Sequence, residues 1–270
     1  MGEREEMTYP ATGAPVRCIL VHGFNGEPVD MCELEASLAA RGFATTTLLL
    51  PGHGTSVRDF AAARWEHWAD AVNAEVRAAL ARGERVIPIG HSMGGALAFA
   101  AAEREPGVAG VVALCAPIAL DTGPRGSATR RYRWLPPYVL SLGDDVRDRV
   151  GVRRRYERHA YRLVPLATAR SLFDALPAVR DLLPAVTCPT LLIYARNDHV
   201  VPLKDGIAAY KCIGAQDKQL AVLPRSFHAV TKDVERHLVC ERVTAFCERL
   251  RAAALPPADA TASGKIDRIC

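Results

Sequence analysis

Residues 88–95 read PIGHSMGG and place Ser92 between Gly90 and Gly94, in the pattern G-x-S-x-G. The preceding segment reads as a strand, and the following segment MGGALAFAAAERE reads as the start of a helix. Glycines two residues either side of a serine permit the sharp strand-to-helix turn that presents a nucleophile. The same pattern also fits a glycine-rich turn whose serine begins a helix. A base and an acid elsewhere in the chain are needed to distinguish the two.

The base is sought among eight histidines. A serine hydroxyl needs a base to accept its proton, and hydrolases with this turn carry serine, acid and histidine in that chain order. His228, in LPRSFHAVTKD between the last predicted strand and the last predicted helix, fits the order. The other seven histidines do not fit this order. His22, His53 and His67 precede the serine, and His91 adjoins it. His159 lies in a predicted insertion, His237 lies in the last predicted helix, and His199 adjoins the acid.

The predicted acid is Asp198, in the loop ARNDHVVP after the strand TLLIYA. That position is the carboxyl end of a strand, where open α/β sheets bind their ligands. Asp121, which follows the strand ending at Cys115, is the alternative acid, because some hydrolases of this architecture place it there.

An oxyanion that forms during acyl transfer needs donors, usually backbone N–H groups. One is predicted to be the amide of Met93, directly after the serine. The other is predicted to be the amide of Phe24 in VHGFNGEP, where Gly23 and Gly26 permit a close backbone approach.

Composition narrows the class of protein. The chain has 270 residues, 49% hydrophobic and 24% charged, with a net charge of +4, which is too weakly basic to indicate nucleic acid binding. No run approaches the roughly 20 apolar residues of a membrane-spanning helix, and the acidic start MGEREEMTYP is unlike a signal peptide. Eight cysteines without metal-binding spacing predict free thiols, no metal site and a cytoplasmic location.

Short apolar runs alternate with Ala-rich helical segments, which predicts an α/β fold with a mainly parallel sheet. The predicted strands are 16–21, 44–50, 85–90, 108–115, 190–195 and 218–223, and the predicted helices are 28–41, 65–82, 92–105, 203–213 and 233–252. The stretch from about 117 to 186 has no predicted strand and is interpreted as an inserted cap. The predicted division is a first core segment over residues 1–116, a helical cap or lid over 117–186, a second core segment over 187–254 and a disordered tail over 255–270.

Seven arginines lie within residues 147–162, against two acidic residues. A solvated face of the cap is the favoured interpretation. Peripheral contact with an anionic membrane or with an acidic leaving group is the alternative.

Taken in order, these segments resemble the α/β hydrolases, in the branch of carboxylesterases and monoacylglycerol lipases. The resemblance covers residues 16–250 and is nearest to small bacterial carboxylesterases with a compact helical cap. Two departures are Phe227, where glycine or tyrosine often precedes the histidine, and the arginine-rich cap. The resemblance is carried by ILVHGFNGEPVDM, LLLPGHG, WEHW, PIGHSMGG, LCAPI, VTCPTLLIYARNDHVVP and SFHAVTKD.

The resemblance implies a doubly wound, mainly parallel sheet with a helical cap inserted after the sixth strand of the family's numbering. It also implies a cofactor-free serine carboxylesterase for short- to medium-chain esters, with Ser92, Asp198 and His228 catalytic and Phe24 and Met93 as oxyanion donors. A lipase or monoacylglycerol lipase, an acyltransferase or thioesterase, and a non-catalytic binding module stay as alternatives. The expected partner is a small-molecule ester, without nucleic acid or stable membrane insertion, and the chain is expected to be a monomer or homodimer.

Overall fold

The apolar runs of the sequence form one sheet in a computed structural model of the chain. The structure describes residues 14–118, 136–141, 143–156 and 160–253. The alternative acid Asp121 and the predicted tail 255–270 lie outside the described residues.

Six strands form the sheet: β1 Val16–Val21, β2 Ala44–Leu48, β3 Arg85–His91, β4 Val111–Leu114, β7 Thr190–Ala195 and β8 Lys218–Leu223. They are all parallel and follow the order β2-β1-β3-β4-β7-β8, which confirms the predicted fold class. Their positions match the six predicted strands, with β4 shorter than expected. The inner strands are buried on both faces, whereas the edge strand β2 is only half-buried.

Helices cover both faces of this sheet, as its continuous apolar strands require. The bounds are α1 Cys32–Ala39 after a 3-10 turn Pro28–Met31, α2 Val57–Ala62, α3 Trp65–Ala81, α4 Met93–Arg104, α5 Arg149–Arg155, α6 Leu166–Leu182, α7 Leu203–Cys212 and α8 Arg236–Ala253. The short helix α2 was not predicted, although Ser56 accepts a hydrogen bond from the Asp59 amide as a regular N-cap. None of the helices in the described ranges is long and apolar enough to cross a membrane.

The prediction that residues 117–186 contain no strand was wrong. Two short strands, β5 Tyr138–Leu140 and β6 Leu163–Pro165, pair antiparallel within that stretch. They escape detection because three residues give no usable alternation and their partners are far apart in the chain. The 17-residue helix α6 follows and packs against α3 and α4. The boundaries of a cap stay a prediction.

The core has two layers that alternate along each strand with period two. On β1, Ile19 and Val21 belong to the layer under α3, α4 and α6. Cys18 and Leu20 belong to the opposite layer, under α1 and α8. The carboxyl ends of β1, β3, β7 and β8 therefore meet at one edge of a rigid sheet, and their loops form the candidate site.

Candidate active site

Ser92 is the single residue between β3 and α4, and it adopts φ 54° and ψ −120°. This left-handed conformation is strained for a residue with a side chain. A Cβ atom at Gly90 would lie 2.0 Å from the carbonyl oxygen of Gly94, and one at Gly94 would lie 2.2 Å from the carbonyl oxygen of Val21. Backbone atoms cannot yield at such distances, so the turn requires glycine at both positions.

The structure brings Ser92, His228 and Asp198 into one chain of hydrogen bonds. His228 Nε2 lies 2.9 Å from Ser92 Oγ, and His228 Nδ1 lies 2.8 Å from Asp198 Oδ2. An ionised Asp198 makes Nδ1 the donor, which leaves Nε2 as an acceptor for the serine hydroxyl. This is the arrangement that activates a serine nucleophile.

The Asp198 carboxylate is held by its own loop after β7. Its Oδ1 accepts hydrogen bonds from the amides of Val200, at 2.8 Å, and Val201, at 2.7 Å. Burial of the Asp198 side chain acts to raise its pKa, but the charge and hydrogen bond of His228 and these two amides outweigh it. The net pKa of Asp198 therefore lies below its usual value, and the carboxylate stays ionised beside His228.

Two buried carboxylates hold the loop that carries His228, and sequence reasoning had not singled them out. Glu235 Oε2 accepts from the amide of Ser226 at 2.7 Å, and Asp233 Oδ2 accepts from the amide of Phe227 at 2.8 Å. The detectable signal was the acidic pair in TKDVE just before α8, which resembles ordinary charges at a helix start.

The other histidines near the site have separate roles. His22 bridges the carbonyl of Gly23 and the amide of Leu50 inside the core. His91 lies beside His228, and its Nε2 is 3.0 Å from the His228 carbonyl oxygen. Burial, and next the charge of His228, lower the pKa of His91 to about 4, so it is neutral at neutral pH.

The predicted oxyanion residues flank Ser92. A Cβ atom at Gly23 would lie 3.3 Å from Ser92 Cβ, which shows how closely the loop carrying Phe24 approaches the nucleophile. The Phe24 ring packs against Phe60, with centroids 5.1 Å apart. Met93 is fully buried at the start of α4.

A pocket of ≈ 220 Å³ opens onto Ser92 and His228. Its wall carries several polar side chains as well as apolar ones. The Nζ atom of Lys232, a residue 2% exposed, lies 2.6 Å from Asp30 Oδ1 and 2.8 Å from Asp144 Oδ2. The other polar side chains of the wall include Asn25, Ser141, Asp145 and Thr231.

Cys115, Asp198 and His228 place one ligand atom each within 4.8 Å of one another, among the residues that the structure describes. Burial, and next the charge of Asp198, raise the pKa of the Cys115 thiol well above its usual value. Both ring nitrogens of His228 already make hydrogen bonds, to Asp198 and to Ser92, so a metal ion could bind His228 only by breaking one of them.

The family model described as "Serine aminopeptidase, S33" matches residues 14–235. A thermostable monoacylglycerol lipase of Bacillus sp. strain H-257 is 28% identical over 87% of this chain and 92% of the lipase. A carboxylesterase of Bacillus subtilis strain 168 is 26% identical over 88% of this chain and 94% of the esterase. A solved structure from work on LipS and LipT, two metagenome-derived lipolytic enzymes, superposes with a TM-score of 0.80 at 31% identity over 88% of this chain and 96% of that one. The chain therefore belongs to the family of the serine aminopeptidase S33 model and is an α/β hydrolase of the carboxylesterase and monoacylglycerol lipase branch.

Proposed function

We propose that the protein is a serine carboxylesterase that hydrolyses short- to medium-chain carboxylic esters through an acyl-enzyme. The observation that carries the proposal is the hydrogen-bond chain from Ser92 Oγ through His228 to Asp198, with distances of 2.9 and 2.8 Å. It stands at a strained strand-to-helix turn and opens onto a pocket.

In the first half-reaction, Ser92 Oγ attacks the ester carbonyl carbon as its proton moves to His228 Nε2. Asp198 keeps the imidazole oriented and stabilises the imidazolium that forms. The tetrahedral intermediate collapses when the alcohol leaves with the proton from His228. A water that gives its proton to His228 then attacks the acyl-enzyme. The second tetrahedral intermediate collapses as His228 returns that proton to Ser92 Oγ, which releases the carboxylic acid and restores the free enzyme.

The amides of Phe24 and Met93 are the proposed donors to the oxyanion. Support comes from the packing of Gly94 against the carbonyl of Val21, because this contact brings the first turn of α4 against the end of β1. Donors fixed by two packed elements need no reorganisation when negative charge develops on the carbonyl oxygen.

The size of the pocket favours small esters. At ≈ 220 Å³ it lies below the roughly 300–1,000 Å³ of pockets that enclose drug-sized ligands. Hydrolysis of monoacylglycerols is the second candidate, because a monoacylglycerol lipase aligns over 92% of its length and the pocket wall carries polar groups suited to an alcohol with free hydroxyls.

A p-nitrophenyl ester series from acetate to palmitate tests the proposal, with Ser92→Ala as the inactive control. We expect the highest kcat/KM between acetate and the medium-chain esters. No turnover at any chain length would contradict the esterase proposal. A maximum at long chains, together with release of glycerol from a monoacylglycerol, would favour the second candidate.

A further inference from the structure

Asp145 lies between β5 and α5, outside the loops that carry Ser92, Asp198 and His228, yet its carboxylate contacts two of those loops. Its Oδ2 atom accepts hydrogen bonds from the amide of His199 at 3.0 Å and from the amide of His228 at 3.2 Å. Its Oδ1 atom lies 2.9 Å from Nδ1 of the His199 ring. One carboxylate oxygen thus joins the residue after the proposed acid to the proposed base itself.

The Asp145 backbone is anchored on the same loops. Its carbonyl oxygen accepts a hydrogen bond from the amide of Ala229 at 3.0 Å. Two residues further on, the amide of Arg147 donates to both oxygens of the buried Asp233 at 3.0 Å. The Asp145 side chain is only 17% exposed. These contacts hold the Asp145 carboxylate in one position between the two loops.

We propose that Asp145 is a positioning residue, which fixes the spacing between the loop of Asp198 and the loop of His228. The proposal rests on the proposed function, because it assigns the spacing a role in ester hydrolysis. The two loops follow different strands, β7 and β8. The hydrogen bond between His228 and Asp198 therefore forms only while the two loops keep their spacing. A misplacement of about 1 Å in a catalytic group can lower the rate by about 10²-fold.

Two substitutions at Asp145 distinguish a positioning role from an effect of its negative charge. In Asp145→Asn, the amide oxygen can take the place of Oδ2 and accept from both amides, while its NH₂ group faces the His199 ring. Asn therefore keeps both amide contacts and removes the charge, and its NH₂ group donates to His199 Nδ1 when that ring carries its proton on Nε2. Asp145→Ala removes both. A positioning role predicts that Asn substitutes for Asp and that Ala does not.

The experiment compares kcat and KM for a p-nitrophenyl ester in wild type, Asp145→Asn and Asp145→Ala. The matched control is Asp148→Ala, which removes a carboxylate of the same loop that caps α5 through the Gly151 amide. We expect Asp145→Ala to lower kcat about 10-fold or more with KM within about twofold. Asp145→Asn should retain most of kcat, and Asp148→Ala should resemble wild type.

Three results would overturn the proposal: a wild-type kcat in Asp145→Ala, equal losses in the Asn and Ala variants, or a loss that appears only in KM. Thermal unfolding of each variant shows whether it is folded. If Asp145→Ala does not fold, Asp145→Ser gives the same comparison, because its hydroxyl is too short to reach both amides.

A second readout does not depend on ester turnover. The proton between His228 Nδ1 and Asp198 Oδ2 should give a low-field ¹H resonance, assigned by its loss in His228→Ala. We expect the resonance in wild type and Asp145→Asn, and its broadening or loss in Asp145→Ala. If wild type hydrolyses no ester, the proposed function fails, and this comparison still decides on Asp145. An unchanged resonance in Asp145→Ala would contradict its role.

Discussion

Ser92 combines a left-handed backbone with a side chain, at φ 54°. Two glycines make this conformation accessible, since backbone carbonyls occupy the space where their Cβ atoms would lie. In this conformation the Ser92 hydroxyl lies 2.9 Å from His228 Nε2. The proposed chemistry therefore requires glycine at positions 90 and 94 as well as the hydroxyl of Ser92.

Gly90→Ala is expected to destabilise the fold by at least about 1–3 kcal/mol, the usual range for overpacking, because its Cβ would overlap the Gly94 carbonyl. Ester turnover should fall by about 10²-fold in whatever folded protein remains. Urea unfolding and kcat measure the two effects. Gly107→Ala is the control, because its Cβ would meet only the end of the flexible Leu80 side chain, at 3.0 Å. Equal behaviour of the two variants would contradict this account of the turn.

His91 should make stability depend on pH. Its pKa is about 4 in the folded chain against an ordinary 6.5, because of burial and of the charge of His228. Between these values the unfolded chain binds a proton that the folded chain does not, so the free energy of unfolding decreases as pH falls from about 6.5 to about 4. The loss reaches about 3 kcal/mol.

Urea unfolding of wild type and His91→Gln at about pH 7 and at about pH 4.5 measures this contribution. The difference between the two proteins isolates His91 from the other buried histidines. We expect a smaller pH dependence in His91→Gln. An identical pH dependence in both proteins would show that His91 is not held neutral.

At the scale of elements, the loops at the carboxyl ends of the strands are tied to one another by buried polar contacts. Lys232, before α8, joins Asp30, in the 3-10 turn after β1, through a contact of 2.6 Å. Asn25 exchanges two hydrogen bonds of 3.0 Å with the backbone of Tyr161, before β6. This ion pair and these hydrogen bonds hold the loop that carries Phe24 against the segments before α8 and before β6.

Lys232→Met should destabilise the fold by about 3–5 kcal/mol, because it removes a buried cation from between Asp30 and Asp144. Arg41→Met is the matched control, since it breaks a pair with Glu248 in which the arginine is 59% exposed. That change should cost less than about 1 kcal/mol. Similar losses of unfolding free energy in the two variants would contradict the structural role of Lys232.

Sequence reasoning singled out Ser92, Asp198 and His228 because their chemistry demands certain residue types in a certain order. It could not single out Asp145, Asp233 or Glu235, whose role is to accept backbone N–H groups from loops that meet only in the folded chain. The six parallel strands were predicted because each is an apolar run that can be recognised locally. The three-residue strands β5 and β6 were not predicted. Pairing between distant short segments leaves no local pattern.

At the scale of the whole molecule, one parallel sheet between two apolar layers supports the site without a disulfide among the described residues. Cysteines 18, 32, 115, 188, 212, 240 and 247 are free thiols. The sulfur atoms of Cys18 and Cys247 are 4.0 Å apart, beyond the length of a disulfide bond. The cytoplasmic location stays a prediction.

Reducing agent should therefore leave the thermal midpoint unchanged. Alkylation of the unfolded chain without prior reduction should modify all seven of these thiols, as peptide mass mapping can show. A lower midpoint in reductant, or a pair of cysteines protected from alkylation, would reveal a disulfide that contributes to stability.

The most direct test of the central claim is the site of covalent labelling by p-nitrophenyl diethyl phosphate, a reagent that phosphorylates activated serines. We predict one diethylphosphoryl group per chain, on the peptide that carries Ser92, with no labelling in Ser92→Ala and slow labelling in His228→Ala. Label on another residue, or labelling of Ser92→Ala at the wild-type rate, would contradict the assignment of Ser92 as the nucleophile.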